Sequence, residues 1–225
     1  MSGASATGKN KPSVELMVSS MRKTKGEYLS FEEASRALPI NTCTWELTGL
    51  QASAHIGRIL DHAKKIRRGR PTDLDLISEL AAEAFICLEN LRRELYSDVS
   101  MYQIVGRKFN IVSERVKSPI VMNLGREGTF FEFRLANIAR CLTAYVDNHA
   151  TLEDWSVTDW ACALGGEMGE LANALAEDLS DEETRHEIAD VITYLDLFLA
   201  RVGLDLEDCI RAKIPSSLRR TQSLR

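Results

Sequence analysis

The stretch DWACALGGEMGELANALAEDLSDEETRHEIADVITYLDLFLARVGLDLEDCIRAK, from Asp159 to Lys213, decides how this chain is read. It holds two helical segments, each with two acids three residues apart: Glu167 with Glu170, and Glu187 with Asp190. That spacing is just under one helical turn of about 3.6 residues, so each pair projects from one helix face. Leu164, Met168, Leu171 and Leu175 recur at helical spacing around the first pair, and Ile188, Val191, Ile192, Leu195 and Phe198 around the second. The acids therefore border faces destined for a core, where a charge needs a partner. Two such helices packed antiparallel bring four carboxylates together. Carboxylates crowded in this way raise each other's pKa and stay ionised only if a cation joins them. Oxygen-only ligands favour Mg²⁺, with Mn²⁺ as its substitute, over zinc. The competing reading of the bare spacing is a solvated acidic helix face. Gly165, Gly166 and Gly169 weaken the first helix and predict a close neighbour at its backbone.

GEMGELANAL (Gly166–Leu175), a short acidic linker and EIADVITYLDLFLARVGLDLEDCIRAK (Glu187–Lys213) together resemble the MazG-like branch of the all-α nucleoside triphosphate pyrophosphohydrolases. The resemblance covers about residues 130–213. It implies that Glu167, Glu170, Glu187 and Asp190 bind Mg²⁺ as catalytic acids, and that a nucleoside triphosphate is cleaved to the monophosphate and pyrophosphate. The family also places a Lys, commonly followed by Phe-Asn, near the start of its last helix to hold phosphate. Lys213 stands at that Lys position, but Ile214 and Pro215 follow it.

The first half of the chain resembles the same unit. EAFICLENLRRELYSDVSMYQIVGRKFNIVSERVKSP (Glu83–Pro119) carries the Lys-Phe-Asn element as Lys108, Phe109 and Asn110. In this alignment Glu79 matches Glu187 and Ala82 stands opposite Asp190, while the preceding helix offers Ala52, His55, Arg58, Ile59 and His62 in place of two glutamates. One acid of four holds a divalent ion poorly, so this copy is expected to be catalytically silent. The implied fold is all-α: two tandem MazG-like helical bundles packed as a pseudo-dimer. The implied division is an arm over residues 1–28, a degenerate unit over 29–122, a unit with the metal acids over 129–214, and a basic tail over 215–225. Family sites commonly form at subunit interfaces, which implies a homodimer or its intramolecular imitation. In that arrangement Lys108, Asn110 and Arg107 reach the acids of the second copy, against a plainer reading of them as relics on a surface helix.

Elsewhere the chain is informative chiefly by exclusion. Its 225 residues are 44% hydrophobic, enough for one or two domains with a sizeable core. A net charge of −5 argues against a general nucleic-acid binder, and no apolar run reaches a membrane-spanning length. Cys43, Cys87, Cys141, Cys162 and Cys209 are scattered without a C-x-x-C, as expected of reduced thiols in a cytoplasmic protein. The arm is read as mobile, with a short helix near Val14–Met21. Helices are expected over about Thr44–Ile66, Thr72–Tyr96, Met101–Val116 and Thr129–Asn148, with further starts at Ser30 and Ser180. Lys64 to Arg70 reads as the basic end of the first of these, and Asn123–Gly128 as the linker between copies. Trp155 and Trp160 are either plain core or the frame of a base-binding pocket, and His149 and His186 read as surface or capping residues. No phosphate loop and no Ser-His-Asp or Cys-His arrangement competes. Two function classes follow: a Mg²⁺-dependent nucleotide pyrophosphohydrolase, and a non-catalytic helical module binding nucleotide or a partner chain.

Overall fold

Short polar residues start the helices. The computed structural model describes residues 28–40, 42–144, 152–177 and 179–215, and among these it is all-α. Most of the expected N-terminal arm with its short helix, His149 and nearly all of the basic tail lie outside them. α1 (Phe31–Ala37) opens with a capping box: Ser30 Oγ accepts from the Glu33 N–H at 3.1 Å, and the Glu33 carboxylate accepts from the Ser30 N–H at 3.0 Å. α2 (Trp45–Arg67) runs into the basic stretch and stops at Gly69, whose φ of 63° suits glycine. α3 (Leu74–Leu95) and α4 (Met101–Arg115) are capped by Asp73 and Ser100. α5 (Phe130–Ala144) opens with the same reciprocal bonds between Thr129 and Glu132 as Ser30 makes with Glu33. α6 (Val157–Ala176) is capped by Ser156 with Asp159, α7 (Asp181–Val202) by Ser180 with Glu183, and α8 (Leu206–Lys213) by Asp205. Gly203, at φ 81°, ends α7.

The apolar stripes then fix the packing. α2 lies on α3 and α6 on α7, and the two pairs meet where α2 crosses α6. There Gly49 faces Leu175 and Gly165 faces Leu60; a Cβ on either glycine would stand 2.9 Å from the leucine Cδ1. The close approach expected at three glycines is therefore met at Gly165 alone, since Gly166 and Gly169 have nothing within 4 Å. α4 packs against α7, and α8 against α3. α1 and α5 close one end through Phe31, stacked on Phe130 at 4.0 Å and packed against Phe85, Tyr102 and Phe133. Each such phenylalanine contributes about 1.5–3 kcal/mol by leaving water. Residues from both expected units share this one core.

The two most buried acids of the core, Asp196 and Glu89, are paired. Asp196, 1% exposed, accepts from Arg134 Nε at 2.7 Å and from Asn137 Nδ2 at 2.9 Å. Glu89 accepts from Ser35 and from Arg92. All five cysteines are free; Cys87, Cys141 and Cys209 are buried, Cys43 is half-buried and Cys162 is exposed. Burial pushes the three buried thiols up to about 11, so they act as small apolar residues. No helix among the described residues is long and apolar enough to cross a membrane.

Candidate metal centre

α6 and α7 pack along their lengths, so the acids at their margins face a common space. Glu167, Glu187 and Asp190 each offer a carboxylate oxygen, and these atoms all lie within 4.8 Å of one another. Ligand oxygens about 2.1 Å from one Mg²⁺ stand at most about 4.2 Å apart, so small side-chain rotations convert the cluster into a coordination sphere. Glu170 sits outside this set of three and is exposed, yet it acts electrostatically on both Glu167 and Glu187.

Burial sets the electrostatics of the three acids first. The Glu167 carboxyl is raised to about 7, first by burial, then by Asp190, Glu170 and Glu187. Burial also raises Glu187 and Asp190, with Lys108 pulling both back. One Glu187 oxygen, Oε2, is buried without a hydrogen-bond partner. A buried carboxylate oxygen left unpaired costs about 1–3 kcal/mol or more. An oxygen-only set with an orphaned oxygen fits a hard divalent cation.

The other expected site residues divide. Lys108 does reach across from the first half of the chain: its Nζ lies 2.7 Å from Asp190 Oδ2. Asn110 does not, because its amide closes a loop, donating to Met122 O at 3.0 Å and accepting from Met122 N at 2.7 Å. Lys213 is not brought to the four acids either. It is the last residue of α8 rather than an early one, and its ammonium pairs with Glu83 at 2.5 Å and Glu79 at 3.1 Å on α3. Arg107 is exposed on α4, one residue from Lys108.

Two cavities are lined by residues on or beside the Lys108–Asp190 pair. One, of about 320 Å³, is lined by Trp155, Trp160 and Tyr194 together with Glu167 and Asp190, and also by Arg115 and Arg140. Trp155 and Trp160 stand 4.6 Å apart at 42°, and Trp160 Nε1 donates to Leu152 O, which fixes its ring. Tyr194 is visible in the sequence as the residue one turn beyond Asp190; Arg140, on α5, carries no local signal. The other cavity, of about 480 Å³, is lined by Arg107, Asn110, Arg185 and His186 among others, so His186 is not the plain surface residue expected. Comparison of the chain with protein-family models, curated proteins and solved structures finds no match.

Proposed function

We propose that the chain is a divalent-cation-dependent hydrolase of nucleoside triphosphates, releasing the monophosphate and pyrophosphate. The observation that carries this reading is the convergence of Glu167, Glu187 and Asp190 beside an aromatic cavity, with Lys108 at the junction. Glu167, Glu187 and Asp190 would hold Mg²⁺ or Mn²⁺, which supplies Lewis acidity toward phosphate oxygens. The aromatic cavity offers ring faces for a base, and stacking on them is worth about 1–3 kcal/mol. Lys108 stabilises negative charge on the phosphate chain as it splits. Glu170, the acid outside the three-oxygen set, accepts the proton of the attacking water. The water oxygen bonds to phosphorus, a P–O bridge breaks, and its electron pair leaves with the departing phosphate. Pyrophosphate release from a panel of triphosphates, with Mg²⁺ and with chelator, tests this directly. No release for any of them at millimolar Mg²⁺ would leave the alternative, a helical module that binds without catalysis.

The same reading makes the chain two copies of one unit, and the internal correspondences support it. α3 and α7 are each 22 residues long and start from caps at Asp73 and Ser180. Counted from those caps, Glu83 is the counterpart of Asp190 and Leu80 of Glu187, a register one residue removed from the expected match of Glu79 with Glu187. Counted from Thr44 and Ser156, His55 corresponds to Glu167 and Arg58 to Glu170. Electrostatics follow this map. Burial raises Glu167, where Asp190, Glu170 and Lys108 act on it, and lowers His55, where Glu83, Arg58 and Lys213 act. Lys108 of the first copy pairs with Asp190 of the second, and Lys213 of the second with Glu83 of the first. Such reciprocal exchange is the hallmark of an isologous interface, here within one chain.

A further inference from the structure

We propose that the cavity between α4 and the first turns of α7 is the anion site for the two terminal phosphates, with Arg107 and Arg185 as its binding side chains. The proposal rests on the triphosphate reading above and adds to it the direction in which the substrate lies.

The two cavities are lined in turn by the same two helices. On α4, Arg107 and Asn110 line the cationic cavity, while Val112 and Arg115, further along, line the aromatic one. On α7, Arg185 and His186 line the first cavity, and Asp190 and Tyr194 the second. Both helices therefore advance from the cationic cavity to the aromatic one, and the Lys108–Asp190 pair ties α4 to α7. Four residues of helix rise about 6 Å, so Arg185 and Tyr194 sit roughly one turn either side of Asp190. An extended triphosphate with its base among the rings and its α-phosphate at the acids has one direction left for its remaining phosphates.

The side chains in that direction suit them. The Arg185 guanidinium lies over the Tyr96 ring, 4.6 Å from its centroid, which holds the plane of the fork. Its Nε is buried with no hydrogen-bond partner, and its nearest carboxylate, Asp181, stands 3.6 Å from the terminal nitrogen. A fixed guanidinium with open donors matches phosphate oxygens in pairs. Arg107, one residue from Lys108, makes no ion pair among the described residues. His186 lines the same cavity and can donate a ring N–H. Glu182 also lines the cavity, but it is exposed and is outnumbered by the two arginines. In this placement the oxygen bridging the α- and β-phosphorus leaves with pyrophosphate, while the monophosphate stays against the rings.

Calorimetric titration of the full chain with inorganic pyrophosphate in Mg²⁺, beside titration with a nucleoside monophosphate, tests the assignment in the wild type and in R107Q, R185Q and R185K. We expect R185Q to weaken pyrophosphate at least tenfold and R107Q several-fold, with R185K intermediate and monophosphate affinity within twofold of wild type throughout. Melting curves establish that each variant is folded. Pyrophosphate affinity unchanged in the R107Q/R185Q double variant would overturn the proposal, as would equal losses for pyrophosphate and monophosphate. The outcomes separate from those of the hydrolase reading. Pyrophosphate bound through Arg185 in a protein without turnover refutes hydrolysis alone. Turnover at unchanged KM in the double variant refutes the anion site alone.

Discussion

Replacing Glu167 by glutamine should make the metal-free protein more stable and the metal-bound protein less so. The Glu167 carboxyl is held at about 7 in the folded chain, against about 4.3 when free in solution. The folded state therefore keeps this proton over a pH range in which the unfolded chain has lost it. Stability must fall as pH rises from about 4.3 to about 7 and level off above, because the slope follows protons bound in the unfolded state minus those in the folded state. Full conversion at about 1.4 kcal/mol per unit gives roughly 3–4 kcal/mol. Glu167 is only partly buried, and solvent screening reduces that to about 1–2 kcal/mol. The amide introduced by E167Q carries no charge at any pH and escapes this cost. For a chain of this size the gain is about 2–8 °C in melting temperature, at about 2–4 °C per kcal/mol.

Calorimetric melting of wild type and E167Q in chelator, at pH 5 and pH 8, measures the effect. The variant should match wild type at pH 5 and melt higher at pH 8. Adding Mg²⁺ to 100 times its Kd should then stabilise wild type by about 2.7 kcal/mol and E167Q far less, reversing the order. A variant that melts at or below wild type at pH 8 in chelator would refute the claim that Glu167 is ionised at a cost. So would a difference between the two that does not change with pH.

Further consequences concern single side chains. K108M should lower turnover at saturating triphosphate about a hundredfold or more, as loss of one transition-state donor does elsewhere; unchanged kcat and KM would remove Lys108 from the mechanism. K213M should leave turnover intact and cost no more than about 1 kcal/mol in denaturant melts, since Glu79 is exposed and Glu83 only half-buried. Lost turnover there would restore Lys213 to the site. W155A should raise KM for nucleoside triphosphates about tenfold while leaving inhibition by inorganic tripolyphosphate unchanged; an equal effect on both would mean the ring does not meet the base.

Much of this is legible in the sequence because it is local. Caps at Ser30 and Ser180, the helical stripes and the stop at Gly69 are set by neighbours in sequence, and α2, α3 and α4 fall within two residues of their expected ends. The acid pairs are legible for the same reason, as residues one turn apart beside a stripe. The fate of the cations is not. Lys108 and Lys213 each meet a helix more than seventy residues away in sequence, and nothing local to either says which acids it faces. Asn110 deceives because a side-chain amide serves a backbone loop as readily as a ligand, and only the position of Met122 decides. On the proposed two-copy reading, counting from the caps at Asp73 and Ser180 moves the register one residue from the sequence match.

On the proposed reading, charge balance distinguishes the half that would take an ion from the half that would not. In the first half Lys213 pairs with Glu79 and Glu83, and Arg58 acts on the neighbouring His55; on the proposed two-copy reading Leu80 stands at the position of Glu187. The ammonium of Lys213 already does there what a bound cation would do. In the second half Glu167, Glu170, Glu187 and Asp190 have Lys108 as their close cation, with Arg140 acting on Asp190 more weakly. Burial raises the pKa of Glu167, Glu187 and Asp190, and neighbouring acids add to the shift at Glu167 and Glu187. A divalent ion adds two positive charges where negative ones are in excess. Mn²⁺ titrated into the full chain and followed by its electron-spin signal should therefore bind at a single locus. D190N should abolish that binding, whereas E83Q should leave both affinity and stoichiometry as in wild type. Mn²⁺ held equally by wild type and D190N, or lost in E83Q, would place the ion somewhere other than between α6 and α7.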